Sequence, residues 1–420
     1  MTEQRNIIVL GAAPAGLQAT HYIMKHILPA LKAKHTNAKY HVYTINPSAD
    51  FYFRVASPRV GTSTTLMPVE KIIAPLSEAF KKYSADEFTF IQGYATGLDY
   101  TARQVVYQRS EHLPEEKLSY HALLVATGSK THHPAFSMPT TTAATVDALK
   151  TMNTKVAAAK DIVIVGGGPT GVETAGEIAE FRNGKPGWFS AAPRKVNITL
   201  ITATNQLLPT LSHSVAKIAE KKLKDLGVDV VYNTRAANVS EMEDGRTKVV
   251  LTDGKELEAD LYIPAYGVLP NSSWLPPNLL NETNYLITNP QTLRVDLAGP
   301  RVYALGDISS ASRNTIMDLL DMLPVSLINI KRDLLSYNTS SPTAPAPGKD
   351  RIFTPQTKLS MIAPIGSGGG VGAVMGWKAP SWFVWLLKGR DYMVGMSLAP
   401  TLRGDSVKKE YKWTKEEAVV

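Results

Sequence analysis

Short continuous apolar runs, each followed by a glycine turn and an amphipathic stretch, recur along this chain and set its expected layout. Residues 7–10 (IIVL) are uninterrupted and mostly β-branched, the pattern of a parallel strand buried on both faces. The spacing then predicts a helix from about residue 15 through the 21–32 region. Residues 40–45 alternate and predict a second strand. Residues 88–93 and 104–108 read as strands of a small meander, and 122–126 as another apolar strand closed by Thr127-Gly128. At Asp161 the pattern restarts: DIVIV, a glycine turn, a helix, then strands at 197–201 and 229–232 around an amphipathic helix at 217–226. Residues 249–251 and 261–264 continue that sheet region, and 302–305 form a further short strand ending in Gly306-Asp307. Two mononucleotide-binding units in one chain organise the reading.

The expected fold class is therefore α/β: two dinucleotide-binding domains, Rossmann-like and doubly wound, of the glutathione-reductase type. The first is discontinuous, 1–150 and 290–337, and the second spans 151–289. Residues 338–348 (NTSSPTAPAPG) form a linker without core-forming side chains. Residues 350–420, with strand-like runs and a glycine-rich turn, predict a small α+β C-terminal domain.

Composition narrows the chemistry. A chain of 420 residues exceeds one ordinary core, and 44% apolar with 20% charged residues is the balance of a soluble globular protein. The net charge of +8 is spread along the sequence, so it suits anionic cofactors or a membrane surface and gives no reason to expect nucleic acid. There is no cysteine, which removes disulfides, thiolate metal sites, catalytic thiols and any Cys-based redox pair. No metal site is expected. The start, MTEQRN, is polar and leads into a strand, so neither a secretory signal nor, with Thr2 after the Met, myristoylation is expected. The apolar run at 382–387 is too short to span a bilayer, and a cytoplasmic protein is the default expectation.

The second turn, GGGPTG at 166–171, carries all three glycines of the dinucleotide fingerprint. The first makes the tight turn, the second lets backbone approach a pyrophosphate, and the third lets helix pack on strand. Helix N–H groups then hold the phosphates. The first turn, GAAPAG at 11–16, has Ala13 at the middle position, but Gly11, Pro14 and Gly16 repeat Gly166, Pro169 and Gly171. Both are read as nucleotide turns. The ribose-binding acid that usually follows the third glycine by about 20 residues is missing from both units. The first ends its second strand at Asn46, whose amide can bond a ribose hydroxyl, and the second ends at Leu200-Ile201-Thr202. The missing acid leaves NADPH permitted, no Arg follows immediately to grip its 2′-phosphate, and the choice between NADH and NADPH stays open.

The order GAAPAG, LLVATGS at 123–129, GGGPTGVE at 166–173 and VYALGD at 302–307 resembles a two-dinucleotide-domain flavoprotein. With INPSADFYFRVASPR at 45–59 and KGRDYMVGMSLAPTLRG at 388–404, nearly the whole chain resembles the apoptosis-inducing-factor-like, ferroptosis-suppressor-like family of pyridine nucleotide oxidoreductases, in its fungal form. That resemblance implies FAD on Gly11, Ala13, Pro14, Ala15 and Gly16, with Asn46, Ala126, Thr127, Gly128, Gly267 and Gly306 around it. It implies a flavin-contacting Arg59, a backbone contact at Ala95 to the adenine part, and Asp307 on the ribityl or pyrophosphate region beside a following helix N-terminus. It places NADH or NADPH on Gly166, Gly168, Pro169, Thr170 and Gly171. Glu173 would face the nicotinamide–flavin contact, paired with a basic group such as Arg59; these two are the catalytic candidates.

Other features have plainer readings. GSGGGVG at 366–372 lacks a Gly-Lys-Ser/Thr ending and is expected to be a hairpin turn. His132 and His133 point to different sides and are expected to be loop residues. Trp377, Trp382, Phe383 and Trp385 with Lys378 and Lys388 fit core or dimer packing, with a membrane-facing patch as the less favoured alternative. The expected function is transfer of hydride from NAD(P)H to flavin and of electrons onward to a quinone or similar small acceptor, without a redox disulfide. A flavoenzyme acting on one biosynthetic metabolite and an NAD(P)H-responsive signalling flavoprotein are the alternatives. Monomer or homodimer, and peripheral membrane contact, are left open.

Overall fold

The computed structural model describes residues 3–138, 140–187, 189–358 and 360–419; Thr2, on which the acylation reading rests, lies outside them. The first unit is a five-stranded parallel sheet of β1 (Glu3–Leu10), β2 (Ala38–Asn46), β3 (Phe88–Gln92), β4 (Ala122–Val125) and, from far along the chain, a strand at Val302–Ala304. Between β1 and β2 runs α1 (Pro14–Tyr22), extended by a π-type turn, Ile23–Ile27, and a helix at Leu28–Lys34. Pro29 explains the interruption, because it has no N–H to give to the preceding turn. The run IIVL pairs on both sides, Ile7 with Val42 and with Ala122, and all four residues are buried, as a central parallel strand requires.

The second unit repeats the plan. Its parallel sheet contains β5 (Asp161–Val165), β6 (Asn197–Ile201), β7 (Val228–Val231) and β8 (Leu261–Pro264), in the order β7-β6-β5-β8. Helix α2 (Pro169–Asn183) follows β5. With β9 assigned to Val302–Ala304, the first sheet reads β9-β4-β1-β2-β3.

Three expectations change. Residues 88–92 join the main sheet beside β2, and the meander is instead Tyr94–Asp99, Gln104–Gln108 and Glu116–Ser119. Thr247–Leu251 lies in a separate antiparallel sheet between Ala236–Glu241 and Glu256–Ala259. No helix starts directly after Asp307. The next one, α3 (Ile316–Leu335), begins behind Thr315, whose hydroxyl accepts from Asp318 N.

The C-terminal residues pack on both units. Strands Met361–Pro364 and Gly370–Val374 pair around the glycine run, which is a hairpin turn. The carboxylate of Glu180 on α2 accepts from Ser367 N (2.7 Å) and Ser367 Oγ (2.5 Å) and pins that turn. Further on, the Tyr411 ring stacks on Tyr22 of α1 at 4.7 Å, and Glu417 pairs with Arg351. Phe353, Ile365, Tyr392 and Val407 share one continuous apolar core with the residues of both sheets. Among the described residues, no helix is long and apolar enough to cross a membrane.

Candidate functional site

The two glycine turns lie at the carboxyl ends of β1 and β5, and the structure separates the glycines that packing demands from those it does not. Gly11 has φ +100°, and a Cβ there would lie 2.4 Å from the Ala126 carbonyl oxygen. A Cβ on Gly16 would lie 1.9 Å from the Gly11 carbonyl oxygen. The second unit matches: Gly166 has φ +130° with Ala265 O at 2.3 Å, and Gly171 meets Gly166 O at 1.8 Å. Gly168 differs from these. Its φ of −76° suits any residue, and a Cβ there would meet nothing within 4 Å. Neither strain nor packing requires glycine at this position, so the empty space in front of it is what a phosphate cradle needs. Ala13, its counterpart, has φ −71°, ψ −178° and is exposed, so its methyl costs the fold nothing and borders the same space in the first turn. Pro14 and Pro169 each open a helix without needing a hydrogen bond, and Thr170 continues the first turn of α2.

Gly168→Ala is accordingly expected to leave melting temperature and FAD content unchanged while weakening NAD(P)H binding. Titration with each nucleotide checks it, and unchanged affinity would remove this turn from the cofactor site.

Several residues frame the first turn. Asn46 Oδ1 accepts from Ala12 N (2.8 Å), and its Nδ2 donates to Ser48 O (2.8 Å). The amide thus braces the turn from the end of β2. A Cβ on Gly306 (φ +76°) would lie 3.1 Å from Ala15 Cβ, so the end of β9 sits against the first turn of α1. Asp307 follows, and its Oδ2 accepts from Arg54 Nη2 (2.9 Å) and Ser129 Oγ (2.8 Å). Thr127 and Gly128 are tied to the second unit: Thr127 Oγ1 donates to Asn271 O, Asn271 Nδ2 to Thr127 O, and Asn271 N to Gly128 O. Gly267 (φ +58°) lies at the same link, 4.0 Å from the His132 ring by the Cβ it lacks. The His132 ring lies against Tyr266 at a tilt of 33°, while His133 accepts from Ala135 N, and burial pushes its pKa down to about 4. Ala95 is half-buried at an irregular step of the meander, opposite Tyr107.

Asp307→Ala removes the acceptor that orders Arg54 and Ser129 at the mouth of the first turn. It is expected to weaken FAD retention by roughly 1–3 kcal/mol. The absorbance ratio of flavin to protein after purification checks this; a fully yellow variant would exclude Asp307 from the site.

The charged candidates are brought together, but in different pairs from those expected. Glu173 and Glu177 lie one turn apart on α2 and are both buried. Arg59, on the helix Ser57–Thr62, holds Glu177 and not Glu173, through Nε to Oε2 (3.0 Å) and Nη2 to Oε1 (2.8 Å). Its Nη1 donates to Arg390 O (3.0 Å), and its guanidinium lies over the Tyr392 ring at 4.7 Å. Tyr392 OH donates to Glu177 Oε1 (3.1 Å). Glu173 receives its hydrogen bond from Lys388 Nζ, on the C-terminal segment. Burial pushes the Glu173 pKa up to about 7; Lys388 and Arg59 pull it down and Glu177 pushes it up. Burial also raises the Tyr392 phenol well above its ordinary value, with Glu177 and Glu173 adding to it. Three segments distant in sequence, Ser57–Thr62, α2 and residues 388–392, thus meet here. Glu177 was findable as the residue four positions after Glu173, whereas Lys388 and Tyr392 carry no local signal of this role.

Comparisons with known proteins bear on the family and the fold. The sequence profile of the family described as pyridine nucleotide-disulphide oxidoreductase matches residues 5–322. The chain is 39% identical over 400 residues to oxidoreductase phnG of Penicillium herquei, covering 93% of this chain and 94% of that one. It is 25% identical to human ferroptosis suppressor protein 1 over 406 residues, covering 93% and 94% of the two chains. Among solved structures, the sulfide:quinone oxidoreductase of Aquifex aeolicus superposes with a TM-score of 0.64 at 17% identity, covering 95% of this chain and 92% of that one.

Proposed function

The chain belongs to the pyridine nucleotide-disulphide oxidoreductase family, an α/β flavoprotein family that binds FAD and NAD(P)H, and from that premise we propose that it passes electrons from NAD(P)H through FAD to a quinone or similar small acceptor. FAD held at the first turn would supply the two-electron redox chemistry that links the reduced nicotinamide to the acceptor. The observation that carries this reading is the meeting of Glu173 and Lys388. It brings the C-terminal segment onto the helix that opens at the nicotinamide-nucleotide turn.

The chain's own residues have separate tasks. The N-termini of α1 and α2 offer backbone N–H groups and positive dipole ends to the two pyrophosphates. Glu173 and Lys388 hold a compensated charge pair beside the nicotinamide position, and Tyr392 with the Arg59–Glu177 pair keeps that region closed to water. The chain has no cysteine, so electrons leave without passing through a protein disulfide. The segment that turns Lys388 inward exposes Trp382, Trp385 and Leu386, 66%, 41% and 44% accessible. With Trp377 and Lys378 nearby in sequence, these side chains suit an apolar acceptor ring or a peripheral membrane contact of a cytoplasmic protein, monomer or homodimer. The quinone in the name of the sulfide:quinone neighbour is in keeping with this acceptor class.

Anaerobic addition of NADH or NADPH to the FAD-loaded protein tests the first half. The flavin absorbance is expected to bleach with at least one of them; a flavin that stays oxidised with both would overturn the reading.

A further inference from the structure

We infer that the adenosine end of the second nucleotide site is built for a 2′-phosphate, with Arg235 as its cation, so that the protein prefers NADPH to NADH. The inference rests on reading residues 166–171 as the nicotinamide-nucleotide turn.

In such a turn the adenosine ribose lies over the carboxyl end of the second strand, here β6. A carboxylate at that point would bond both ribose hydroxyls and repel a 2′-phosphate. Residues 202–206 are TATNQ, without a carboxylate. Thr202 does not replace one. It is 3% exposed, its Oγ1 is bonded to Thr204 Oγ1 at 3.0 Å, and a Cβ on Gly167 would lie only 2.4 Å from that oxygen. Its hydroxyl is turned into the glycine turn.

A cation comes from the next strand. After β7 the chain bends at Asn233 (φ +54°) and closes onto the end of β6: Asn233 N donates to Thr204 O (3.2 Å) and Thr234 N to Thr202 O (3.1 Å). The next residue is Arg235. Its backbone is fixed by Arg235 N to Thr252 Oγ1 (3.2 Å) and Thr252 N to Arg235 O (3.0 Å). Its side chain is exposed, and among the described residues the guanidinium has no hydrogen-bond or ion-pair partner. The other three arginines of residues 151–289 are engaged: Arg182 with Val156 O, Arg194 with Asp229, and Arg246 with Asp244 and Glu258. The acid next to Thr252, Asp253, is held by Lys255. A free guanidinium, placed by a fixed backbone within a side chain's length of a strand end without a carboxylate, matches the planar, bidentate demand of a phosphate.

The test uses the FAD-loaded full chain and equilibrium titration with 2′,5′-ADP and 5′-AMP, which differ only in the 2′-phosphate. The wild type is expected to bind 2′,5′-ADP about tenfold more tightly or better. Arg235→Ala is expected to bring the two affinities within about twofold by weakening 2′,5′-ADP alone, while Arg235→Lys keeps part of the difference. Equal affinities in the wild type, or a preference untouched by Arg235→Ala, would overturn the inference. Anaerobic flavin bleaching separates the two levels. If NADH bleaches as readily as NADPH, only the 2′-phosphate assignment fails. If neither bleaches and neither nucleotide binds, the reading of the turn itself fails.

Discussion

Arg59→Ala is expected to lower stability by about 3–5 kcal/mol, the range for removing one member of a buried ion pair. Glu177 is 4% exposed, and after the substitution its carboxylate would keep only the Tyr392 hydroxyl as a donor. The Arg390 carbonyl would lose its donor, and Tyr392 the cation over its ring. The cost comes mainly from stranding a charge in a dry site, so Arg59→Met with Glu177→Met should recover most of it. Denaturation midpoints of the single and double variants check the sign. A single variant as stable as the wild type, or a double variant as damaged as the single, would contradict the account. Because Arg59 joins the first unit to α2 and to the C-terminal segment, the single variant should also lose FAD more readily.

The second large effect concerns Glu173. Glu173→Ala should slow flavin reduction by about 10²-fold through lost alignment, with FAD content near normal. The pH dependence is more discriminating. The Glu173 pKa of about 7 predicts an inflection in the wild-type reduction rate near neutral pH. Lys388 lowers that pKa, so Lys388→Met should move the inflection to higher pH, with Glu177, Arg59 and Tyr392 as the remaining neighbours. Glu173→Gln should abolish it. Stopped-flow reduction across pH 6–9 reads all three; an inflection that persists in Glu173→Gln belongs to another group.

How much of this was legible follows from the range of each interaction. The glycine turns, β1, β2, β4, β5 and β6 are set by local runs of apolar residues and tight backbone geometry, which the sequence displays directly. Which sheet a strand joins is not local. Residues 88–92 look like their neighbours in the meander, yet they pair in parallel with β2, because the crossover after β2 returns them to its edge. Ala13 could be weighed only against the clean copy at 166–171, and the structure gives the reason it is tolerated: an extended φ and an exposed methyl. Glu173 could be placed from its distance to the last glycine, but its partner could not. Lys388 lies 215 positions away, in an aromatic stretch that reads as core or dimer packing. The ion pairs are fixed by how the three segments pack, a property no window of sequence contains.

The protein is expected to deliver electrons to a small apolar acceptor. The most direct measurement is NAD(P)H consumption by the FAD-loaded protein in air, then with a short-chain ubiquinone added. Strong stimulation by the quinone is the predicted result. Equally slow consumption in both conditions would contradict it.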